Sequence, residues 1–282
     1  FSVVAIALTN FLFAYLIMAN KERALALAPQ YQQSLLAAIQ QVAVYFGVET
    51  EPTWATLRQE LLAQVNLQRL LTSLMASVGS ILVSFVVVFL YATFLLIERS
   101  TLNEKLANLS DDPKRVARIR GVIGAINRRI GSYLALKTLL SLLLGVVSYG
   151  VMVLWGLDFA ALWAVFTAFL NFVPYVGSVL GVALPVLMGV VQFQEPGLVL
   201  TLLLALTAAQ FAIGNFLDPY VMGKSLNLSP FAILISLAVW AELWGIPGAF
   251  LAVPITAILT IVFSEFPATR PLAVLLSKGG RV

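Results

Sequence analysis

Apolar residues fall along the chain in long blocks rather than in the short alternations of a soluble protein. Blocks occupy 1–19, 74–97, 133–156, 159–193, 198–217 and 229–264. Residues 74–97 carry no charge over 24 positions. At about 1.5 Å per residue that run reaches about 36 Å, enough to cross a ~30 Å hydrocarbon core with some tilt. The blocks 1–19 and 198–217 are equally free of charge and read as simple spans. The block 133–156 holds Lys137 one turn from its start, where a lysine is expected to snorkel to the headgroups. Gly and Pro interrupt 159–193 and 229–264 near their middles, and each is too long for one helix and cramped for two full crossings. The pattern predicts an all-α membrane protein of polytopic transmembrane helices with two re-entrant hairpins.

Composition agrees. Hydrophobic residues make up 61% of the chain and charged residues 11%, against about a quarter charged in soluble domains. The polar segment 20–73 balances four basic residues against four acids, and Pro52, Trp54, Leu57, Leu61 and Val65 predict an amphipathic helix within it. The loop 98–132 holds eight basic residues against four acids. The positive-inside rule therefore puts 98–132 in the cytoplasm and 20–73 outside, in the periplasm. Lys224 and the tail 268–282, with Arg270, Lys278 and Arg281, fall on the cytoplasmic side as well. Asp112 and Pro113 form an N-cap and first-turn pair. Val116, Ile119, Ile123, Ile126 and Ile130 follow on one face, predicting a basic helix lying on the anionic inner leaflet. Lipid contact explains that stripe better than nucleic acid. The chain opens with Phe1 inside an apolar run, so it is expected to continue a longer protein, and no signal peptide is recognisable.

Residues 133–267 hold the expected transport core. The first interrupted block centres on Asn171, Pro174, Tyr175, Gly177, Ser178 and Gly181, the second on Glu242, Gly245, Pro247 and Gly248. Broken helices leave N–H and C=O groups unpaired, which survive at membrane depth only in protein or beside a wet cavity. Two broken segments entering from opposite faces point to the central binding site of a secondary transporter. The tips Pro174–Gly177 and Trp244–Gly248 are expected to meet near the midplane, with a leucine at Gly177 filling the gap between them. Asn171, Tyr175 and Ser178 at the first tip, and Gln210 and Asn215 in the next span, are candidate solute ligands, although such side chains also bond neighbouring helices. Pro174, Gly177, Gly181, Gly245 and Gly248 would let backbone approach the solute. Glu242 is the acid furthest inside an apolar block and a candidate for ion coupling; the alternatives are a tip in external water or a pair with Lys137. Asp218 is a weaker ion-coupling candidate, expected first to cap the turn begun by Pro219.

The strings FVPYVGSVLG (172–181), LDPYVMGKSLNLSP (217–230) and LWGIPGAFLAVPI (243–255) together resemble the autoinducer-2 exporter (AI-2E) family of bacterial permeases. The resemblance runs from about residue 74 to about 267 and includes the arginine-rich loop and Ile130-Gly131-Ser132-Tyr133. It implies a multi-pass protein of the bacterial inner membrane that exports a small signalling molecule or other polar solute. It also implies coupling to H+ or Na+, with sodium–proton or lithium–proton exchange as the alternative, and homo-oligomeric assembly, a pentamer being one candidate. An extra pair of spans would precede Phe1. Glu242 departs from the family, which usually has a glycine or an apolar residue there.

Other classes fit less well. The chain has no histidine and no cysteine, so a serine–histidine protease, a thiolate nucleophile and the commonest metal ligands are excluded. No paired-carboxylate protease motif and no P-loop occur, so no enzyme activity, cofactor or metal is expected. A non-transporting membrane scaffold stays open, to be judged by whether Glu242 and Asn171 face a cavity or are sealed.

Overall fold

The computed structural model describes Leu12, residues 15–45, isolated positions between 90 and 108, and residues 111–222 and 226–280. Most of the expected spans 1–19 and 74–97, the helix begun at Pro52, Lys224 and Arg281 lie outside the described residues. What is described is helical: α1 (Lys21–Tyr45), α2 (Pro113–Leu154), α3 (Ala160–Leu170), α4 (Val176–Phe193), α5 (Pro196–Phe211), a π-helical stretch Ala212–Leu217, α6 (Asp218–Met222), α7 (Pro230–Trp244), α8 (Ile246–Ser264) and α9 (Arg270–Leu276).

Local chemistry sets the ends of α2. Its Asp112 N-cap accepts a hydrogen bond from the Lys114 N–H at 2.9 Å, with Pro113 in the first turn. At the other end Gly156 turns to φ 69°, and the Leu157 and Gly156 N–H groups donate to the carbonyls of Met152 and Val153. Between them runs one helix of 42 residues, about 63 Å long and twice the hydrocarbon thickness. The structure therefore joins the expected surface helix and the following span into one element. Gly131 and Ser132, at the expected break, are too weak to interrupt a helix without proline.

α2 is the axis of the core. Its C-terminal half packs on α3 and α5, where Met152 meets Ala160, Ala164, Leu202 and Leu206. Its N-terminal half packs on α8, where Ile130 and Tyr133 meet Val253, Ala257 and Leu228. The hairpin α3–α4 thus leaves the Leu154 end of α2, and the hairpin α7–α8 leaves the opposite end. Each pairs a short arm with a longer one: 11 and 18 residues in the first, 15 and 19 in the second. Among the described residues, four apolar stretches are long enough to cross a membrane, Pro113–Leu154, Val176–Phe193, Pro196–Val221 and Ile246–Ser264, whereas α3 and α7 are shorter.

The two hairpins touch, but not tip to tip. Val173 in the first turn packs against Leu237 and Ala252, and the Phe169 and Phe250 rings lie 4.2 Å apart between centroids. Leu237 and Ala252 stand seven to eight residues from Gly245, about 11 Å of helix. The arms of the second hairpin carry its turn past the first, so the hairpins overlap along their flanks. Trp244 and Ile246 at the second tip are exposed.

Candidate functional site

Three residues on one face of α2, Tyr133, Lys137 and Ser141, recur at four-residue spacing, which stacks them along the helix. All three are buried. The Lys137 ammonium donates to Asp218 Oδ2 at 2.9 Å, joining α2 to the start of α6. The second carboxylate oxygen, Oδ1, is buried without a hydrogen-bond partner. One turn further along α2, Ser141 Oγ accepts a 3.0 Å hydrogen bond from Asn171 Nδ2, at the C-terminal end of α3. A polar seam therefore runs from Asp218 to the first hairpin turn. Lys137 keeps only 6% of its surface. It does not snorkel, because a carboxylate on the facing element holds it inside.

Gln210 is the polar member of the buried face of α5, below Leu202 and Leu206. It is 8% exposed, and neither its amide nitrogen nor its oxygen has a partner. The π-helical stretch begins two residues later and adds residues to each turn. Asn215, within that stretch, faces outward while Gln210 is buried. The π geometry also carries Asp218 round to α2. Asp218 does not cap the Pro219 turn; Lys137 takes its side chain instead.

The first hairpin turn is tight. Pro174 accepts the Val176 N–H at 2.7 Å across Tyr175, whose φ 61° and ψ −61° are the strained γ-turn values. Tyr175 is exposed and Ser178 half-buried. A Cβ on Gly177 would lie 1.8 Å from the Leu170 carbonyl oxygen, so only glycine fits there. Gly177 thus closes its own hairpin and does not line a gap between tips. Inside α4, Pro185 cannot bond the Gly181 carbonyl. Thr167 Oγ1 on α3 takes that carbonyl at 2.9 Å, tying the two arms together. The second turn repeats the design: a Cβ on Gly248 would lie 1.7 Å from the Trp240 carbonyl, and Gly245 takes φ 67° and ψ −143°, which L side chains avoid.

Residues 1–268 match the family described as AI-2E family transporter. The chain belongs to this family. It is 30% identical over 272 residues to the AI-2 transport protein TqsA of Escherichia coli, an alignment covering 94% of this chain and 76% of TqsA. A candidate transport protein of Borreliella burgdorferi is 37% identical over 194 residues, 68% of this chain and 53% of that protein. YhhT of Escherichia coli, also named as a candidate transport protein, is 28% identical over 261 residues, 90% of this chain and 72% of YhhT. The chain thus spans about half the length of the Borreliella relative and about three quarters of the two from Escherichia coli.

In this AI-2E chain the structure gathers some of the expected site residues and separates others. Asn171 and Asp218 share the seam, Gln210 is buried in α5 with no bond to it, and Gly177 and Gly181 knit the adjoining hairpin. Glu242 and Gly245 are exposed at the far tip. Glu242 is not the partner of Lys137, whose ammonium Asp218 holds. Asn171 is sealed by packing while Glu242 is open. The seam also contains Lys137, which the sequence pattern places among the headgroups or beside Glu242, and Ser141 and Tyr133, neither of which stands out alone. Their spacing of four was the available signal.

Proposed function

We propose that this chain is the transport core of a secondary transporter that moves a small polar solute across the bacterial inner membrane. The observation that carries the reading is the seam: Lys137, Ser141 and Asp218 lie in apolar stretches of membrane length, pair with one another and with Asn171, and lead to a strained hairpin turn. Charge and broken backbone at membrane depth are costly and mark solute and ion paths. The name of TqsA supports an autoinducer-2-like solute. The hairpins re-enter from opposite faces. Supporting this, α3 rises only about 16 Å and α7 about 22 Å, short of the ~30 Å core. The basic excess in 98–132 supports a cytoplasmic position for that end of α2 and a periplasmic one for α1. The exposed apolar side chains on the outer helix faces, such as Val146 at 68% and Leu187 at 58%, suit contact with lipid or with further subunits of a homo-oligomer.

Transport against a gradient couples to H+ or Na+ at Asp218, in this reading. The support is its unpartnered buried oxygen, which a proton or a sodium ion would satisfy. The same oxygen favours the second reading, sodium (or lithium)/proton exchange without an organic solute. Proteoliposomes carrying an imposed proton or sodium gradient, screened over small polar solutes, test both. Asp218→Asn should abolish gradient-driven flux and leave downhill exchange running; Glu242→Gln should keep both. Gradient-driven flux intact in Asp218→Asn removes Asp218 from coupling. Ion exchange without flux of any solute selects the second reading.

A further inference from the structure

The segments on which the first hairpin stands, residues 155–159 between α2 and α3 and residues 192–195 at the end of α4 and the turn into α5, are bound to each other and to α1. Gln192 bridges them: its Oε1 accepts the Asp158 N–H at 2.7 Å and its Nε2 donates to the Gly156 carbonyl at 2.8 Å. α1 then grips both. Arg23 Nη2 donates to Asp158 Oδ1 at 2.5 Å, and the Tyr31 hydroxyl donates to Oδ2 at 2.6 Å, so both carboxylate oxygens are taken. The Arg23 guanidinium also stands over the Phe159 ring, 5.7 Å from its centroid. On the other segment, Gln194 Nε2 donates to Ser34 Oγ at 2.7 Å. Arg23, Tyr31 and Ser34 are spaced at i, i+8 and i+11, which brings them to one face of α1.

Phe159 and Gln194, one on each segment, hold left-handed backbone at φ 58° and φ 53°. Non-glycine residues keep such angles only where their surroundings over-determine them, and the contacts of α1 supply that constraint. Nothing in the seam needs these bonds, since Asn171 and Gly177 are held by α2 and α3. The grip therefore acts on where the hairpin stands rather than on how its turn is built.

We propose that α1 is a latch on the base of the first hairpin, with Asp158 as the positioning residue on which it closes. Latched, the base fixes the depth of the turn at Tyr175. Released, the base relaxes and the turn becomes reachable from water. That the hairpin's depth matters for transport rests on the function proposed above; that α1 sets the depth does not.

The chain has no cysteine, so a single Ser178→Cys reports the turn alone. Its rate of labelling by a water-soluble maleimide in proteoliposomes should rise about tenfold when Arg23→Ala and Tyr31→Phe are added. Asp158→Asn, which keeps the shape of the side chain and removes its charge, should give a smaller rise. Circular dichroism and gel filtration identify any variant that has lost its fold, and an unfolded pair is replaced by Ser34→Ala with Gln194→Ala, which loosens the other segment. Labelling unchanged in folded latch variants overturns the latch. In the converse experiment, Ser34→Cys and Gln194→Cys are bridged by a short reversible bis-thiosulfonate. Flux of the transported solute or ion should stop and return with reductant. Faster labelling in the variants with flux indifferent to the bridge leaves the latch standing and takes the first hairpin out of the transport path.

Discussion

Gly177→Ala adds one methyl group at the tightest point of the first hairpin. Its Cβ would stand 1.8 Å from the Leu170 carbonyl oxygen and 2.6 Å from the carbonyl carbon. Both atoms are backbone, so no side chain can swing aside. The arms must part by more than an ångström before an ordinary contact is reached. Parting them disturbs the Val173 N–H to Leu170 carbonyl hydrogen bond, now 2.9 Å. Overpacking of a filled site costs about 1–3 kcal/mol, and a lost internal hydrogen bond about 1 kcal/mol. The alanine gains up to ~1 kcal/mol in helix propensity against this. The net cost should be about 1–3 kcal/mol. Gly181→Ala is the control: its Cβ would meet Thr167, whose methyl stands at 3.2 Å and whose Cα and Cβ stand at an ordinary 3.7 Å, and the variant should fall within about 1 kcal/mol of the parent. Reversible unfolding in mixed micelles, followed by circular dichroism against denaturant, measures both. Equal stability of Gly177→Ala and Gly181→Ala would refute the close-approach reading of the turn.

Lys137→Met leaves the partly buried Asp218 without a counter-charge and should cost about 3 kcal/mol, whereas Lys137→Met with Asp218→Leu should recover most of it; a double-mutant cycle on unfolding free energies measures the coupling. Thr167→Val removes the donor to the carbonyl freed by Pro185 and should cost about 1–2 kcal/mol on the same assay, with Thr167→Ser restoring most of the loss. Cysteines at Arg118 and Gln40, probed on intact cells with a membrane-impermeant thiol reagent, should label only at Gln40; the reverse pattern inverts the topology.

What the sequence reveals here follows the range of each interaction. Helix ends are local events, so Asp112-Pro113 and the Gly/Pro clusters at 174–181 and 245–248 are legible and become caps and turns. Apolar block length is also local, and it reports two arms per interrupted block. The seam is not local. Lys137 and Asp218 are 81 residues apart, and a lysine near the start of an apolar block looks the same whether it reaches headgroups or a carboxylate. The π-helical stretch decides which way Asp218 faces, and Ala212–Leu217 carries no mark of it. Thr167 is hidden for a related reason: its acceptor exists only because Pro185, 18 residues later, cannot bond the Gly181 carbonyl. The latch adds a fourth case, since Arg23 and Tyr31 read as ordinary surface residues until Asp158 is brought beneath them.

The two hairpin turns solve one geometric problem with different residues, and the difference is testable. Each needs a residue at positive φ to reverse the chain. The second uses Gly245, at φ 67°, for which the angle is free of strain. The first uses Tyr175, at φ 61°, in a conformation that costs a side-chain-bearing residue about 1–3 kcal/mol. A tyrosine in that place gains little packing energy to offset the strain, since half of it is exposed. Its exposed phenol sits on the turn to which the seam leads, where it can meet a passing solute. Tyr175→Gly should therefore stabilise the fold, by about 1 kcal/mol once the extra freedom of glycine in the unfolded chain is subtracted, and should slow transport all the same. Unfolding in mixed micelles and flux in proteoliposomes, measured on the same preparation, separate the two effects. A variant that is more stable and transports at the parental rate would show that the strained tyrosine has no part in handling the solute, and a less stable one would show that the turn is not strained.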